Sequence, residues 1–244
     1  MLIINGTFNN FVKKMLSGGI YNLMGTLEFH NASVVTNNGN LTLTGAGGQI
    51  LDSSTGNNGL VALSLNNTKG ILSLQTGAAL TTTTKVNNKG KLTVGTGSSL
   101  KAGSSYKQSA GTTVDGTLTA PAGLTLKGGS VAGMGTISAA VTASGGQVTV
   151  GDSTTKSGIL TVTSYTQNTT TANLNVAIGG NTVGTQYSQP AVANGMALDG
   201  VLNIKLINSF IPTIGSTSIL KGTAVTGTFS TVNGTTINSN EHFK

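Results

Sequence analysis

The sequence predicts an all-β fold, a parallel β-solenoid, and three observations support that prediction. Only 8% of the residues are charged, against about 25% in an ordinary globular domain, while Gly supplies 36 of the 244 residues. A short strand-like phrase recurs at intervals of about 20 residues. No long stretch shows the apolar period of a helix, because Gly or β-branched residues interrupt every candidate.

The recurring phrase is Gly, any residue, an aliphatic residue, a small polar residue and a second apolar residue. Its apolar and polar side chains alternate, which is the period of a half-buried strand. The intervals between successive copies are unequal, so the repeat is imprecise. The copies are GTLEF from Gly25, GNLTL from Gly39, GILSL from Gly70, GKLTV from Gly90, GTLTA from Gly116, GTISA from Gly135, GILTV from Gly158 and GVLNI from Gly200.

One circuit of about 20 residues cannot bury its apolar face alone, whereas stacked circuits build a continuous aliphatic column. Asn-Gly and Asp-Gly dipeptides supply the tight bends between short strands. A β-sandwich remains the rival fold, because short strands bounded by turns suit it too. Stacking would also align Asn side chains at the bends and let them hydrogen-bond along the column; the pairs are 37–38, 57–58, 66–67 and 87–88.

The repeat divides the chain into two expected parts. Residues 1–157 are predicted to form the stacked circuits, with about the first 20 residues irregular or truncated. Residues 158–244 are predicted to form a C-terminal β section that caps the last circuit, because an open solenoid end invites edge pairing. Pro190 and Pro212 fall in this section, as expected for edges or turns.

From Tyr106 onward the sequence contains longer runs that are typical of one kind of protein. The runs YKQSAGTTVDGTLTA, GLTLKGGSVAGMGTI and GILTVTSYTQ resemble the passenger regions of bacterial autotransporter-type surface β-helix proteins, of the autotransporter-associated β-strand repeat kind. The later runs LNVAIGGNTVGTQYSQPAV, LDGVLNIKLINSF and VTGTFSTVNG are similar to the section that ends such passengers. The resemblance implies a right-handed parallel β-helix located outside the cell or at its surface, and it implies no particular activity.

The N-terminal segment 1–25 lacks the uninterrupted apolar core of a signal peptide, and no run is long enough to span a bilayer. We therefore expect the chain to be a piece of a longer protein. The net charge of +7 comes from scattered Lys residues without any Arg, and aromatic residues make up only 4%. This pattern argues against a nucleic-acid partner, because Arg is the residue best shaped for phosphate and base contacts. The absence of Cys excludes disulfides and thiolate sites.

Some parallel β-helices are carbohydrate-active enzymes, and those sites need clustered carboxylates. The acidic residues here are few and dispersed, and we expect Asp115 and Asp152, which are 37 residues apart, to have little chance of meeting. The two His residues, His30 and His242, make no zinc spacing. The Gly-rich phrases match neither a phosphate loop nor a calcium nonapeptide. The sequence therefore predicts no catalytic, cofactor-binding or metal-binding residues.

The resulting hypothesis is a non-catalytic structural or adhesive segment of a larger secreted or cell-surface bacterial protein. Surface glycans, other cells or matrix are candidate partners, and the sequence does not choose among them. A carbohydrate-binding or carbohydrate-active β-helix is the alternative, and an ice-binding solenoid is a more remote one. Ice binding would require outward Thr pairs aligned on one flat face; the candidate pairs are Thr42/Thr44, Thr117/Thr119 and Thr161/Thr163.

Overall fold

A computed structural model of the chain describes residues 1–212 and 218–237, which form 28 strands and contain no helix. The strands are β1 (Leu2–Ile4), β2 (Phe11–Val12), β3 (Met15–Leu16), β4 (Ile20–Leu23), β5 (Thr26–Phe29), β6 (Thr36–Asn37), β7 (Asn40–Thr44), β8 (Gln49–Asp52), β9 (Leu65–Asn66), β10 (Ile71–Gln75), β11 (Ala79–Thr81), β12 (Val86–Asn88), β13 (Lys91–Val94), β14 (Ser99–Lys101), β15 (Tyr106–Gln108), β16 (Gly111–Val114), β17 (Thr117–Thr119), β18 (Leu124–Leu126), β19 (Ser130–Gly133), β20 (Thr136–Ala143), β21 (Gln147–Val150), β22 (Ile159–Gln167), β23 (Asn173–Ile178), β24 (Gln189–Val192), β25 (Gly195–Leu198), β26 (Val201–Leu206), β27 (Ala224–Gly227) and β28 (Thr231–Asn233).

The strands form three sheets, and their pairing is parallel except between β2 and β3. A three-stranded sheet holds β1, β5 and β8, and a fifteen-stranded sheet holds most of the short strands. The ten-stranded sheet runs β28-β26-β23-β21-β19-β16-β13-β10-β7-β4, so its strands are ordered as they occur in the chain. We call the segment from one strand of this sheet to the next a pass. Each pass pairs with the one before and the one after it.

This pairing confirms the prediction of an all-β chain with parallel sheets and is consistent with a β-solenoid. It is incompatible with the rival β-sandwich, whose two sheets are antiparallel. The register shows the repeat directly. Leu72 pairs with Leu92 and Leu92 with Thr112, in agreement with the expected interval of about 20 residues. Other passes are longer, such as the one from Leu174 to Leu202, and the extra residues leave the stack as loops.

Alternation along each strand sends one set of side chains inward, where equivalent positions stack into aliphatic columns. Burying a side chain of this kind stabilises the fold by about 1.5–3 kcal/mol, and the columns repeat that gain at every pass. The buried positions of one column in the ten-stranded sheet are Leu41, Leu72, Leu92, Thr112, Val131, Val148, Leu174 and Leu202. A column in the fifteen-stranded sheet holds Leu80, Leu100, Leu118, Ile137, Val162 and Val192.

In several copies of the repeated phrase, the Gly that opens it marks a close approach between passes. A Cβ on Gly90 would collide with the carbonyl oxygens of Gly70 and Asn67. A Cβ on Gly135 would likewise collide with the carbonyl oxygen of Gly116. The backbones of adjacent passes touch at this corner, so only a residue without a side chain fits there.

A ladder of side-chain amides runs through the interior. The Nδ2 of Asn37 donates to Asn66 (2.9 Å), that of Asn66 to Asn88 (2.7 Å) and that of Asn88 to Gln108 (3.1 Å). All four residues are buried, and the three Asn also donate to backbone carbonyls of the next pass. The expected stacking of Asn is thus present for three of the four pairs, with one member of each in the ladder. The pair at 57–58 is outside it, since Asn58 caps a local turn at Leu60.

The two ends of the described stack differ. At the N-terminal end Phe8 and Phe11 pack on Phe29, with ring centroids 4.8 and 5.0 Å apart. At the other end β27 and β28 are exposed along their length, and Val232 is 41% exposed although it pairs with the buried Leu202. β20 lies before residue 157 and pairs with β22, which lies after residue 158, so strand pairing continues across this point. The expected division of the chain between residues 157 and 158 stays a prediction.

One sequence motif, Tyr-x-Gln, occupies the same columns in two passes but has different surroundings. The Tyr106 hydroxyl shares a hydrogen bond with the Thr112 hydroxyl at 2.8 Å and lies 3.0 Å from the Gln108 Oε1. The pass three steps further carries Tyr165 in the corresponding position, and its buried hydroxyl has no hydrogen-bond partner among the described residues. The difference has a clear origin, because the column position held by Thr112 is held by Leu174 in the later pass.

We expect Asn88→Ala to lower the free energy of unfolding by about 1–3 kcal/mol, because it interrupts a buried amide ladder. The neighbouring Asn87→Ala is the matched control, since Asn87 is only half-buried and its change should stay within about 0.5 kcal/mol. Denaturant titration of both variants measures the difference. Equal losses would show that the ladder adds nothing to stability.

We expect Tyr106→Phe and Tyr165→Phe to act in opposite directions. The first removes a hydroxyl with two polar partners and should cost about 1–2 kcal/mol, while the second removes a buried hydroxyl without a partner among the described residues and should be neutral or stabilising. Thermal unfolding compares them. Similar losses in both variants would contradict this expectation and would mean that the Tyr165 hydroxyl is hydrogen-bonded to water.

Candidate functional site

Acidic residues are the groups on which a carbohydrate-active β-helix would depend. Glu28 lies half-buried on β5, and His30 is exposed beyond the end of that strand. Asp52 accepts hydrogen bonds from Ser54 and Thr55, and the Ser54 hydroxyl above all lowers the pKa of Asp52 to about 2. These contacts hold the turn that follows β8. Glu241 and His242 lie outside the described residues.

Asp199 also has a local role. Its Oδ1 accepts hydrogen bonds from the Ser230 hydroxyl (2.5 Å) and from the Gly200 N–H (2.8 Å), and these bonds, that of Ser230 first, lower its pKa. The residue thus ties the turn before β26 to the turn before β28, across neighbouring passes. This agrees with the expectation that Asp-Gly dipeptides, here Asp199-Gly200, supply tight bends.

The expectation that Asp115 and Asp152 stay apart is wrong. The segment between them makes two short passes, and an antiparallel bridge between Gly133 and Gly151 turns the chain back toward the earlier pass. Asp115 accepts a hydrogen bond from the Met134 N–H at 3.1 Å. Burial raises the pKa of Asp115, and the charge of Asp152 and a hydrogen bond between the two carboxyl groups raise it further.

The geometry of this carboxyl pair does not match glycoside hydrolysis. Glycosidases hold their two carboxyl groups about 5–9.5 Å apart so that a sugar or a water fits between them. Here the effects of Asp152 on the pKa of Asp115 place the two groups in contact, and neither residue lines the two cavities on the described surface, one beside Asn203 and one beside Thr166. The described residues also hold no group of three His, Cys, Asp or Glu able to bind a metal ion.

The larger cavity is a groove of about 370 Å³ on the outer side of the ten-stranded sheet. Its floor crosses β23, β26 and β28, and its wall is formed by Thr154, which belongs to the loop at residues 151–158 between β21 and β22. We call it the amide groove. Among the described residues its lining is Thr154, Asn175, Val176, Asn203, Ile204, Lys205 and Asn233.

A second amide ladder crosses the floor of the amide groove. Asn233 donates to the Asn203 Oδ1 (2.8 Å), and Asn203 donates to the Asn175 Oδ1 (2.8 Å). Asn175 in turn uses its Nδ2 for Gln147 and Thr149, both at 3.0 Å. All donors therefore point toward the N-terminal end of the stack. Asn175 is only 5% exposed, whereas Asn233 is open to solvent.

Sequence reasoning missed this groove, although a signal existed. Leu174-Asn175-Val176, Leu202-Asn203-Ile204 and Val232-Asn233 repeat one strand phrase in which Asn follows an aliphatic residue that pairs with its counterpart in the next pass. These copies are spaced more widely than the copies of the first phrase from Gly70 to Gly158, and the wider spacing conceals the relationship. The wall of the groove has no sequence signal, since it depends on where the loop at 151–158 folds.

The three Thr pairs do not share one face. Thr42 and Thr44 lie on the ten-stranded sheet, while the other two pairs lie on the fifteen-stranded sheet. There Thr117 pairs with Thr136, and Thr136 pairs with Thr161. The aligned Thr hydroxyls thus extend over three passes, with the Ser99 hydroxyl before them and Ala191 after them, which is short for the flat array that ice binding requires.

No family model, curated protein or solved structure matches the chain. The resemblance to bacterial surface passengers therefore stays a prediction. The described residues contain no helix long and apolar enough to cross a membrane.

We expect Asp152→Asn to lower the pKa of Asp115 and to raise the free energy of unfolding at pH 7 by less than about 1 kcal/mol. An acid whose pKa is higher in the folded state costs stability when the pH is above that value, and the cost disappears as the pH falls below the ordinary value of 3.8. The gain of the variant should therefore vanish in acid. NMR titration and unfolding between pH 3 and 7 measure both effects.

Asp199→Asn provides the opposite case. The pKa of Asp199 is lowered in the folded protein, so its ionised form contributes stability above the ordinary pKa that is lost as the pH falls. The variant should consequently lose stability at pH 7, and the same unfolding measurements detect the loss. A loss in both variants would show that the net charge of +7, which each substitution raises, decides the outcome and that these contacts do not.

Proposed function

We propose that the chain is a segment of a right-handed parallel β-helix with a non-catalytic structural or adhesive role in a larger secreted or cell-surface bacterial protein. The observation that carries the proposal is the stack of parallel passes, whose aliphatic columns run from Leu41 to Leu202. Handedness follows from a general rule, because connections between parallel strands of one sheet are right-handed in about 98% of cases.

Solenoids of this kind are suited to adhesion, because they offer long surfaces on which side chains recur at each pass. The outward positions here carry mainly hydroxyl and amide groups. One outward column of the fifteen-stranded sheet, for example, holds Asn87, Lys107, Thr125, Thr142 and Thr166. Such a surface is solvated with few charges and offers donors and acceptors to sugar hydroxyls or to polypeptide backbone.

Carbohydrate recognition is the second candidate function, and the amide groove favours it. Its volume of about 370 Å³ falls within the range of small-molecule sites, about 300–1,000 Å³. Catalysis finds less support, because Asp115 and Asp152 contact each other, whereas glycosidases hold their two carboxyl groups about 5–9.5 Å apart. The second candidate function is therefore binding of a glycan without its cleavage.

Surface location can be tested with an epitope inserted after Gly56, which lies in an exposed turn following β8. In cells that express the full gene, we expect antibody and external protease to reach the epitope without lysis. An intracellular control protein must stay protected in the same sample. An epitope that becomes accessible only after lysis would overturn the proposed location.

Adhesion and turnover can be separated with the purified chain. We expect it to be retained on immobilised glycans or matrix and to release no reducing ends from a panel of soluble polysaccharides. Asp115→Asn and Asp152→Asn are the matched variants for the second measurement. Reproducible release of sugar that either variant abolishes would contradict the non-catalytic role.

A further inference from the structure

The amide groove contains a single kind of charge. Among the described residues that line it, Lys205 carries the only charged side chain, and there is no carboxylate. Lys205 is exposed and follows Asn203 on β26 at the next position of the same face, so both side chains point outward from one strand. An ammonium group beside amides forms a polar site that favours an anion.

The amides define what else the ligand must offer. Asn233, at the open end of the ladder, uses its Nδ2 for Asn203, and no described residue donates to its Oδ1. It therefore presents an acceptor and a remaining donor hydrogen to the groove. A group that both donates and accepts, such as a hydroxyl, satisfies that combination, and a sugar carries several of them on adjacent carbons.

The lining also excludes one familiar way of binding sugars. Among the described lining residues there is no aromatic side chain on which the apolar face of a neutral sugar could stack. Affinity must then come from hydrogen bonds and from the charge of Lys205. The net charge of +7 adds a long-range attraction for anions.

We propose that the amide groove binds an acidic saccharide, with Lys205 facing the carboxylate and Asn233 contacting the sugar hydroxyls. This inference rests on the adhesive function proposed above and names the chemical class of its partner. Asn203 and Thr154 complete the contact surface on the floor and the wall.

The test uses the whole chain and two matched ligands. The first is a hyaluronan tetrasaccharide, which carries glucuronate carboxylates, and the second is its methyl ester, in which those charges are removed. Calorimetric titration at low salt should detect binding of the acid and little binding of the ester. Affinity for the acid should fall as salt rises, since part of the attraction is screened.

Lys205→Gln should weaken binding of the acid about tenfold, the value of one charge-assisted hydrogen bond. Lys101→Gln is the matched control, because Lys101 is exposed at the end of β14 on the fifteen-stranded sheet. It should leave the affinity unchanged. Asn233→Ala should weaken binding without changing the discrimination between acid and ester. The circular dichroism and melting temperature of each variant confirm that it is folded.

Several results would overturn the inference. One is binding of the ester as tightly as the acid. Another is an equal loss in the Lys101 and Lys205 variants, which would indicate nonspecific attraction. A third is equally tight binding of a DNA oligonucleotide. If the chain adheres to matrix but fails these tests, the groove assignment is wrong and the adhesive role stands. If the chain binds the acid through Lys205 and adheres to no surface, the adhesive role is wrong and the groove assignment stands.

Discussion

The structure depends on one constraint, the parallel pairing of each pass with the next at the strand spacing of about 4.8 Å. In-register stacking places the same position of successive passes directly above one another, as with Leu72 and Leu92. Residue types whose side chains can stack on identical side chains are therefore favoured at every position. Aliphatic residues, Thr and Asn do so, whereas like charges placed opposite one another are destabilising. The low charge content of the chain follows from this rule.

The same constraint explains why polar residues can occupy the interior. A single buried Asn would leave a donor or an acceptor without a partner, at a cost of about 1–3 kcal/mol. Stacked Asn residues satisfy one another, as Asn37, Asn66 and Asn88 do. The contrast between Tyr106 and Tyr165 shows what happens when the stacked partner of a buried polar group is lost. When the column partner changes from Thr to Leu, the buried hydroxyl has no group to bond among the described residues.

The two candidate sites, the amide groove and the pair of Asp115 and Asp152, lie where the chain departs from regular stacking. The loop at residues 151–158 adds a wall to an outer face that would otherwise be flat, and the amide groove forms beside it. Insertions of this kind project from one face of a solenoid, where they generate shape without disturbing the core. The close approach of Asp115 and Asp152 has the same origin, since it occurs where the chain bends back at Gly151.

The sequence by itself determined the all-β class, the parallel repeat and the aliphatic columns. These follow from the local alternation of apolar and polar residues and from a repeat that can be read from the sequence. It also indicated the stacking of Asn, because identical residues recur at about pass length. Only the tertiary structure decided that Asp115 meets Asp152, which Asn of each pair enters the ladder, and that Asn175, Asn203 and Asn233 line one groove. The physical reason is that pass length varies with each loop, so the sequence separation of two stacked residues is not constant and spacing alone does not identify them.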